Sequence, residues 1–138
     1  MSQYTAKYTG RLSAGQCYAG AEMAYYHPDY PWPKEQFTLQ EYQRLVAEDA
    51  SGGDGIVAYD TQGQLQGVVS ITPMIRDPHM PGLGVWVTQI IAAHEHPKVG
   101  ACMYRALIQL LRRNGGSWFR IGKRLSATTI LDEYRRVP

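Results

Sequence analysis

Long apolar runs are missing from this sequence. Nothing in its 138 residues approaches the roughly 18–20 consecutive apolar side chains that a membrane-spanning helix needs. Cysteine is scarce as well: Cys17 and Cys102 stand far apart, which excludes a disulfide scaffold and makes a reducing compartment the simpler expectation. The opening Met1-Ser2-Gln3-Tyr4 lacks a basic start followed by an apolar stretch, so no secretion signal is read there and the expected location is the cytoplasm. Internal repeats, low-complexity tracts and linker-like stretches are also absent, which leaves one domain over residues 1–138. What is present, 44% apolar and 19% charged residues, is the mixture of a globular chain able to bury a core.

Net charge is only +2, but it is unevenly placed. From Lys98 onward nine basic residues face two acidic ones, whereas the first 97 residues hold five basic and ten acidic. A positive C-terminal part implies an anionic partner, whether a phosphorylated cofactor, nucleic acid or an acidic protein, unless it is a solvated face on two helices. Neither a ribonucleoprotein-type aromatic and basic motif nor a zinc-finger spacing accompanies it. A basic nucleic-acid-binding module therefore stays an alternative.

The local signals alternate between strand and helix. Tyr4–Gly10 reads as a strand, and Ser13 as the N-cap of a helix to about Tyr26. Three prolines in His27–Pro33 stop that helix. Thr38 and Glu41 form a capping box for a second helix, ending near Asp49. Gly55–Tyr59 and Leu65–Thr72 make a hairpin around Asp60-Thr61-Gln62-Gly63. Residues 77–82 read as a loop, and Gly84–Ala92 as a central strand apolar on both faces. A helix beginning at Pro97 carries Val99, Met103, Leu107 and Leu111 at helical spacing and stops at Asn114-Gly115-Gly116. Trp118–Ile121 is a short strand, and Ser126 is read as capping a last helix with Ile130, Leu131 and Tyr134.

A strand running into a loop and then a helix N-terminus is a phosphate-binding device, because the first helical turn leaves N–H groups unpaired at the positive end of the dipole. Here Gly100 and Ala101 are small enough for a diphosphate to approach the backbone, and Lys98 adds positive charge. His94 and His96 have no third ligand at a metal-site spacing, so no metal is expected and they are read as loop histidines. Cys102 in a first turn is a small packing residue, since no Cys-His-Asn pattern accompanies it.

The order of elements, together with the run Gly100-Ala101-Cys102-Met103-Tyr104-Arg105-Ala106-Leu107, resembles the Gcn5-related N-acetyltransferases. The resemblance covers about residues 55–136. It implies an α/β fold with a mixed central sheet flanked by helices and lacking the last two strands of that family. It also implies acetyl-CoA as cofactor and a small-molecule or protein amine as acceptor. Ile90, Ile91 and Ala92 would hold the pantetheine arm, and Lys98, Val99, Gly100, Ala101 and Cys102 the pyrophosphate. Tyr134 would protonate the leaving thiolate, unless it merely packs on its helix, and Glu95 would act as general base, unless it is solvated or caps the helix. Tyr25, Tyr26, Tyr30 and Trp32, set among prolines, would line an acceptor pocket, form a protein interface or fold onto the core. The other class of function is a non-catalytic descendant of the fold serving as an interaction or structural subunit, such as a bacteriophage virion protein.

Overall fold

Capping and patterning set the element order: β1 (Tyr4–Arg11), α1 (Ala14–Tyr25), α2 (Trp32–Gln36), α3 (Leu39–Ala50), β2 (Asp54–Asp60), β3 (Leu65–Ile71), β4 (Ile75–Asp77), β5 (Met80–Ala92), α4 (Lys98–Arg113), β6 (Gly116–Arg124) and β7 (Ile130–Arg136). This is a computed structural model and describes residues 3–92 and 98–138. The two helix starts expected at Ser13 and Thr38 are capped as read. Ser13 Oγ accepts from the Gln16 amide at 3.1 Å while Gln16 Oε1 accepts from the Ser13 amide. Thr38 and Glu41 make the same reciprocal pair at the head of α3. The proline segment ends α1, and Pro33 then sits in the first turn of the short α2, where a missing N–H costs nothing.

Side chains alternate across each strand, and here both faces are covered. Ile56, Ala58, Val69 and Ile71 pack with Val99, Met103, Leu107 and Leu111 of α4, while Val57 and Val68 face Cys17 of α1 and Ala47 and Ala50 of α3. The sheet order is β1-β2-β3-β5-β6-β7, with β4 pairing with β5. Only β5 and β6 are parallel, joined through α4 as parallel strands must be by a crossover. Gly67 lies beneath α4 so closely that a Cβ would crowd Met103 and Val99 at 2.7–2.9 Å.

Two expectations need correction. Residues 77–82 are not a loop: β4 and β5 form a tight hairpin in which Asp77 pairs with Met80. The last segment is not a helix but the strand β7, antiparallel to β6 from Ile130 opposite Arg124 to Arg136 opposite Trp118. Seven residues are too few for a stable helix without strong packing. The outer edge of β6, by contrast, offers a row of backbone groups that must be paired. The sheet thus counts seven strands against the five expected, and its new edge is largely exposed and ends in Arg135 and Arg136, charges that discourage further strand addition.

Gly84 lies under the Trp118 ring, and a Cβ there would overlap both the indole and the Trp118 carbonyl. Gly84→Ala is expected to destabilise the fold by about 1–3 kcal/mol through overpacking, measured by chemical denaturation. Thr38→Ala should cost about 1 kcal/mol, the usual loss for an N-cap hydroxyl, in the same assay.

Candidate functional site

The two parallel strands part company. β5 and β6 are paired from Leu83 with Gly116 to Trp86 with Arg120, and no further. Beyond that point, among the described residues, β5 continues to Ala92 held by β3 on one side only, and β6 continues to Arg124 held by β7 on one side only. Between them opens a cleft of about 570 Å³, walled by Trp86–Ile91 and by Arg120–Arg124. The helical layer closes its outer end with Tyr30, Trp32, Pro33 and Tyr42.

At the branch point the last pair is locked by side chains. The Arg120 guanidinium lies 4.6 Å from the centre of the Trp86 ring, a cation–π contact, and donates to Asp132 Oδ2 at 2.6 Å. Beneath them sits Asp77, its side chain only 3% exposed. Its Oδ2 accepts from the Tyr134 hydroxyl at 2.7 Å and from Trp86 Nε1 at 3.2 Å, and its Oδ1 accepts from the His79 amide at 2.8 Å. The His79 amide above all, with help from Tyr134, the His79 ring and Trp86, holds the Asp77 carboxyl far below the usual carboxylate range. The partner hydroxyl responds in the opposite sense: donating to Asp77 pushes the Tyr134 phenol above its ordinary value.

β5 is also irregular beside the cleft. Ser70 pairs with Gln89 and Ile71 with Val87, so Thr88 is an extra residue in the strand, a bulge that re-aims neighbouring groups. Its Oγ1 lies 2.6 Å from Ser70 Oγ, a buried hydroxyl. Across the cleft, Arg124 stands 5.6 Å from the centre of the Trp32 ring. Burial pushes the Tyr42 phenol up, with the Arg124 charge pulling it down.

The overall fold, a mixed sheet with helices on both faces, is shared with solved structures. A Gcn5-related acetyltransferase from Staphylococcus aureus superposes with a TM-score of 0.60 at 11% identity, over 97% of this chain and 100% of that one. The ribosomal-protein-S18-alanine N-acetyltransferase of Escherichia coli gives 0.58 at 11% identity over 90% and 70%. The Gcn5-related glucosamine N-acetyltransferase region of a fungal multi-domain β-N-acetylglucosaminidase gives 0.60 at 15% identity over 91% of this chain, which spans 14% of that one. This is the fold of the Gcn5-related N-acetyltransferases. No family model and no curated protein matches the sequence.

Within that fold the expected cofactor residues divide. Ile90 and Ile91 line the cleft, Ile90 half exposed and Ile91 turned into the core, and Ala92 ends the strand beside them. Lys98, Val99, Gly100, Ala101 and Cys102 form the start of α4. Val99 is fully buried, and Cys102 directs its Sγ to the Tyr4 carbonyl at 3.6 Å, so both side chains pack inward. A Cβ on Gly100 would meet nothing within 4 Å among the described residues. Glu95, His94 and His96 lie outside the described residues, and among the described residues no three His, Cys, Asp or Glu side chains gather as a metal site would require.

Tyr134 stands on β7, not on a helix, and does not line the cleft; its proton is engaged with Asp77. Of the aromatic group, Tyr30 and Trp32 line the cleft, whereas Tyr25 donates to the Phe37 carbonyl at 3.0 Å and Tyr26 points to solvent. Asp77, Trp86, Arg120 and Tyr42 had no motif to reveal them, since each acquires its place only through the pairing of distant strands and helices. The basic C-terminal residues are dispersed: Arg112 caps the Pro138 carbonyl, Arg120 pairs with Asp132 and Arg135 with Glu133.

Because its carboxyl is stabilised as the anion, Asp77 contributes stability that is fully present above the ordinary aspartate pKa of about 3.9 and is lost as pH falls below it. Asp77→Asn is expected to lower the melting temperature at neutral pH and to flatten the decline of wild-type stability on acidification. Melting curves across the acid range check this; a variant profile parallel to wild type would count against it.

Proposed function

We propose that the protein is an acetyl-CoA-dependent N-acetyltransferase acting on an amine that enters the cleft from its aromatic end. The observation that carries this reading is the bare edge of β5 past Trp86, which faces β6 across the cleft without a sheet partner among the described residues. Backbone N–H and C=O groups on such an edge must be satisfied by something. An extended chain rich in amides, as the pantetheine arm is, can pair with them in the manner of an added strand.

The head of α4 supports the same occupant. Its first turn, Lys98–Ala101, belongs to the next element after β5 in the chain, with five residues between it and Ala92. The N–H groups of a first turn have no acceptors within their own helix, and their dipole favours a diphosphate. Among the described residues space is open above Gly100, and Lys98 adds a cation there. The cleft volume of about 570 Å³ lies within the range of small-molecule sites. Acetyl-CoA supplies an activated acyl group; the chain's own part is to align it. β5 would hold the arm extended, and the aromatic walls would exclude water and orient the incoming nitrogen, effects that can contribute several kcal/mol to lowering the barrier, on the order of 7–11 when alignment is complete. Tyr134 has no part in this reading, because its hydroxyl serves the Asp77 anchor.

Thermal-shift titration with acetyl-CoA tests the proposal. A saturable rise is expected, equivalent to about 2.7 kcal/mol when ligand exceeds its dissociation constant a hundredfold. Gly100→Glu, which sets a negative charge in open space at the head of α4, should leave the unliganded melting temperature nearly unchanged and weaken acetyl-CoA roughly tenfold. Absence of any shift at millimolar acetyl-CoA would overturn the reading.

A further inference from the structure

The charges on the cleft walls identify the kind of amine that fits between them, an inference that rests on the acetyltransferase reading above. Five charged side chains line the cleft: Asp49, Arg120, Lys123, Arg124 and Asp132. Arg120 and Asp132 neutralise each other at 2.6 Å. Arg124 donates to the carbonyls of Ser126 and Ala127, acceptors that are neutral, so its charge is uncompensated. Lys123 has no ion pair among the described residues. On the opposite wall Asp49 accepts from Gln89 Nε2 at 3.0 Å and has no cationic partner among the described residues. By the alternation of a strand the Lys123 side chain leaves on the α4 face with Ile121, and Arg124 on the face of Trp32. The cleft is therefore dipolar: among the described residues one carboxylate without a cationic partner, Asp49, stands on the α3 side, and one cation without an anionic partner, Arg124, at the far end of β6.

A simple cationic amine would be attracted at one wall and repelled at the other. A simple anion would meet Asp49. We infer that the acceptor is a zwitterionic amine, an amino acid or a molecule with an equivalent amine and carboxylate. Its ammonium faces Asp49 and its carboxylate faces Arg124, with Tyr30, Trp32 and Trp86 lining the rest of the cleft beside an apolar side chain. In the transfer the ammonium first releases one proton to solvent. The N–C bond then forms as the C–S bond breaks, and the second proton of the amine goes to the departing thiolate. Complementary charge at both ends of the ligand fixes which way it lies, and hence which nitrogen reaches the thioester.

L-phenylalanine and phenethylamine differ only in the carboxylate, which makes them the discriminating pair of probes. Calorimetric titration of the wild-type protein is expected to show phenylalanine bound about tenfold or more tightly than phenethylamine, and Arg124→Gln is expected to abolish that preference. Equal affinities, tighter binding of phenethylamine, failure of phenylalanine to bind, or a preference untouched by Arg124→Gln in a protein that melts as wild type does would each overturn the inference. Acetyl-CoA is titrated separately. Loss of that binding alone would remove the acetyl-transfer reading while the charge preference of the cleft stood on its own measurement.

Discussion

The parting of β5 from β6 after Trp86 and Arg120 is the constraint on which the rest of the site depends. A parallel pair that stayed together would satisfy its own backbone and leave no cleft. One that parted without an anchor would expose two frayed edges. Here the final pair is held from three directions: the Arg120 guanidinium lies over the Trp86 ring, Asp132 takes the guanidinium, and Asp77 receives both the indole N–H and the Tyr134 hydroxyl. A buried carboxylate is costly unless donors surround it. Asp77 accepts from the Tyr134 hydroxyl, the Trp86 indole and the His79 amide, with the His79 ring nitrogen 2.8 Å away, so the charge that would otherwise be a liability becomes the fixed point from which the two strands diverge.

The surrounding packing is arranged to let that geometry exist. Trp118 occupies the space over Gly84 and donates its indole N–H to the Gly82 carbonyl at 3.2 Å, tying β6 firmly to β5 just before the split. On the opposite face α4 lies close on the sheet at Gly67, so the crossover that makes the strands parallel also brings a helix N-terminus to the end of β5. The capped helices α1 and α3, with the short α2, cover the other face and supply the aromatic rim. The unpaired edge of β5, the crossover helix and the aromatic wall thus follow from one topology, that of a fold shared with solved structures only 10–18% identical to this chain.

Much of the scaffold was readable from local chemistry. Ser13 with Gln16 and Thr38 with Glu41 announce helix starts because a capping box satisfies two backbone donors within four residues. The hairpin of β2 and β3 and the amphipathic α4 follow from periodicity that each segment carries alone. The residues of β7 mislead because Ile130, Leu131 and Tyr134 fit a helical stripe as well as Ile130, Asp132, Tyr134 and Arg136 fit one face of a strand. The choice falls to the unpaired edge of β6, which lies outside the segment. The β4–β5 hairpin was hidden for a similar reason, since its prolines and histidine read as a loop until Asp77 gathers donors from three elements.

The sequence by itself determined α1, α3 and α4, the central hairpin, the apolar strand leading to a small-residue helix start, and through their order the family likeness, because these rest on hydrogen bonds and periodicities spanning a few residues. Only the tertiary structure decided where β5 and β6 separate, that Tyr134 anchors a buried carboxylate at the strand fork, and that Asp49 and Arg124 line one cleft. Those are meetings of groups dozens of residues apart, and their energies depend on distance, burial and mutual screening that no single segment encodes.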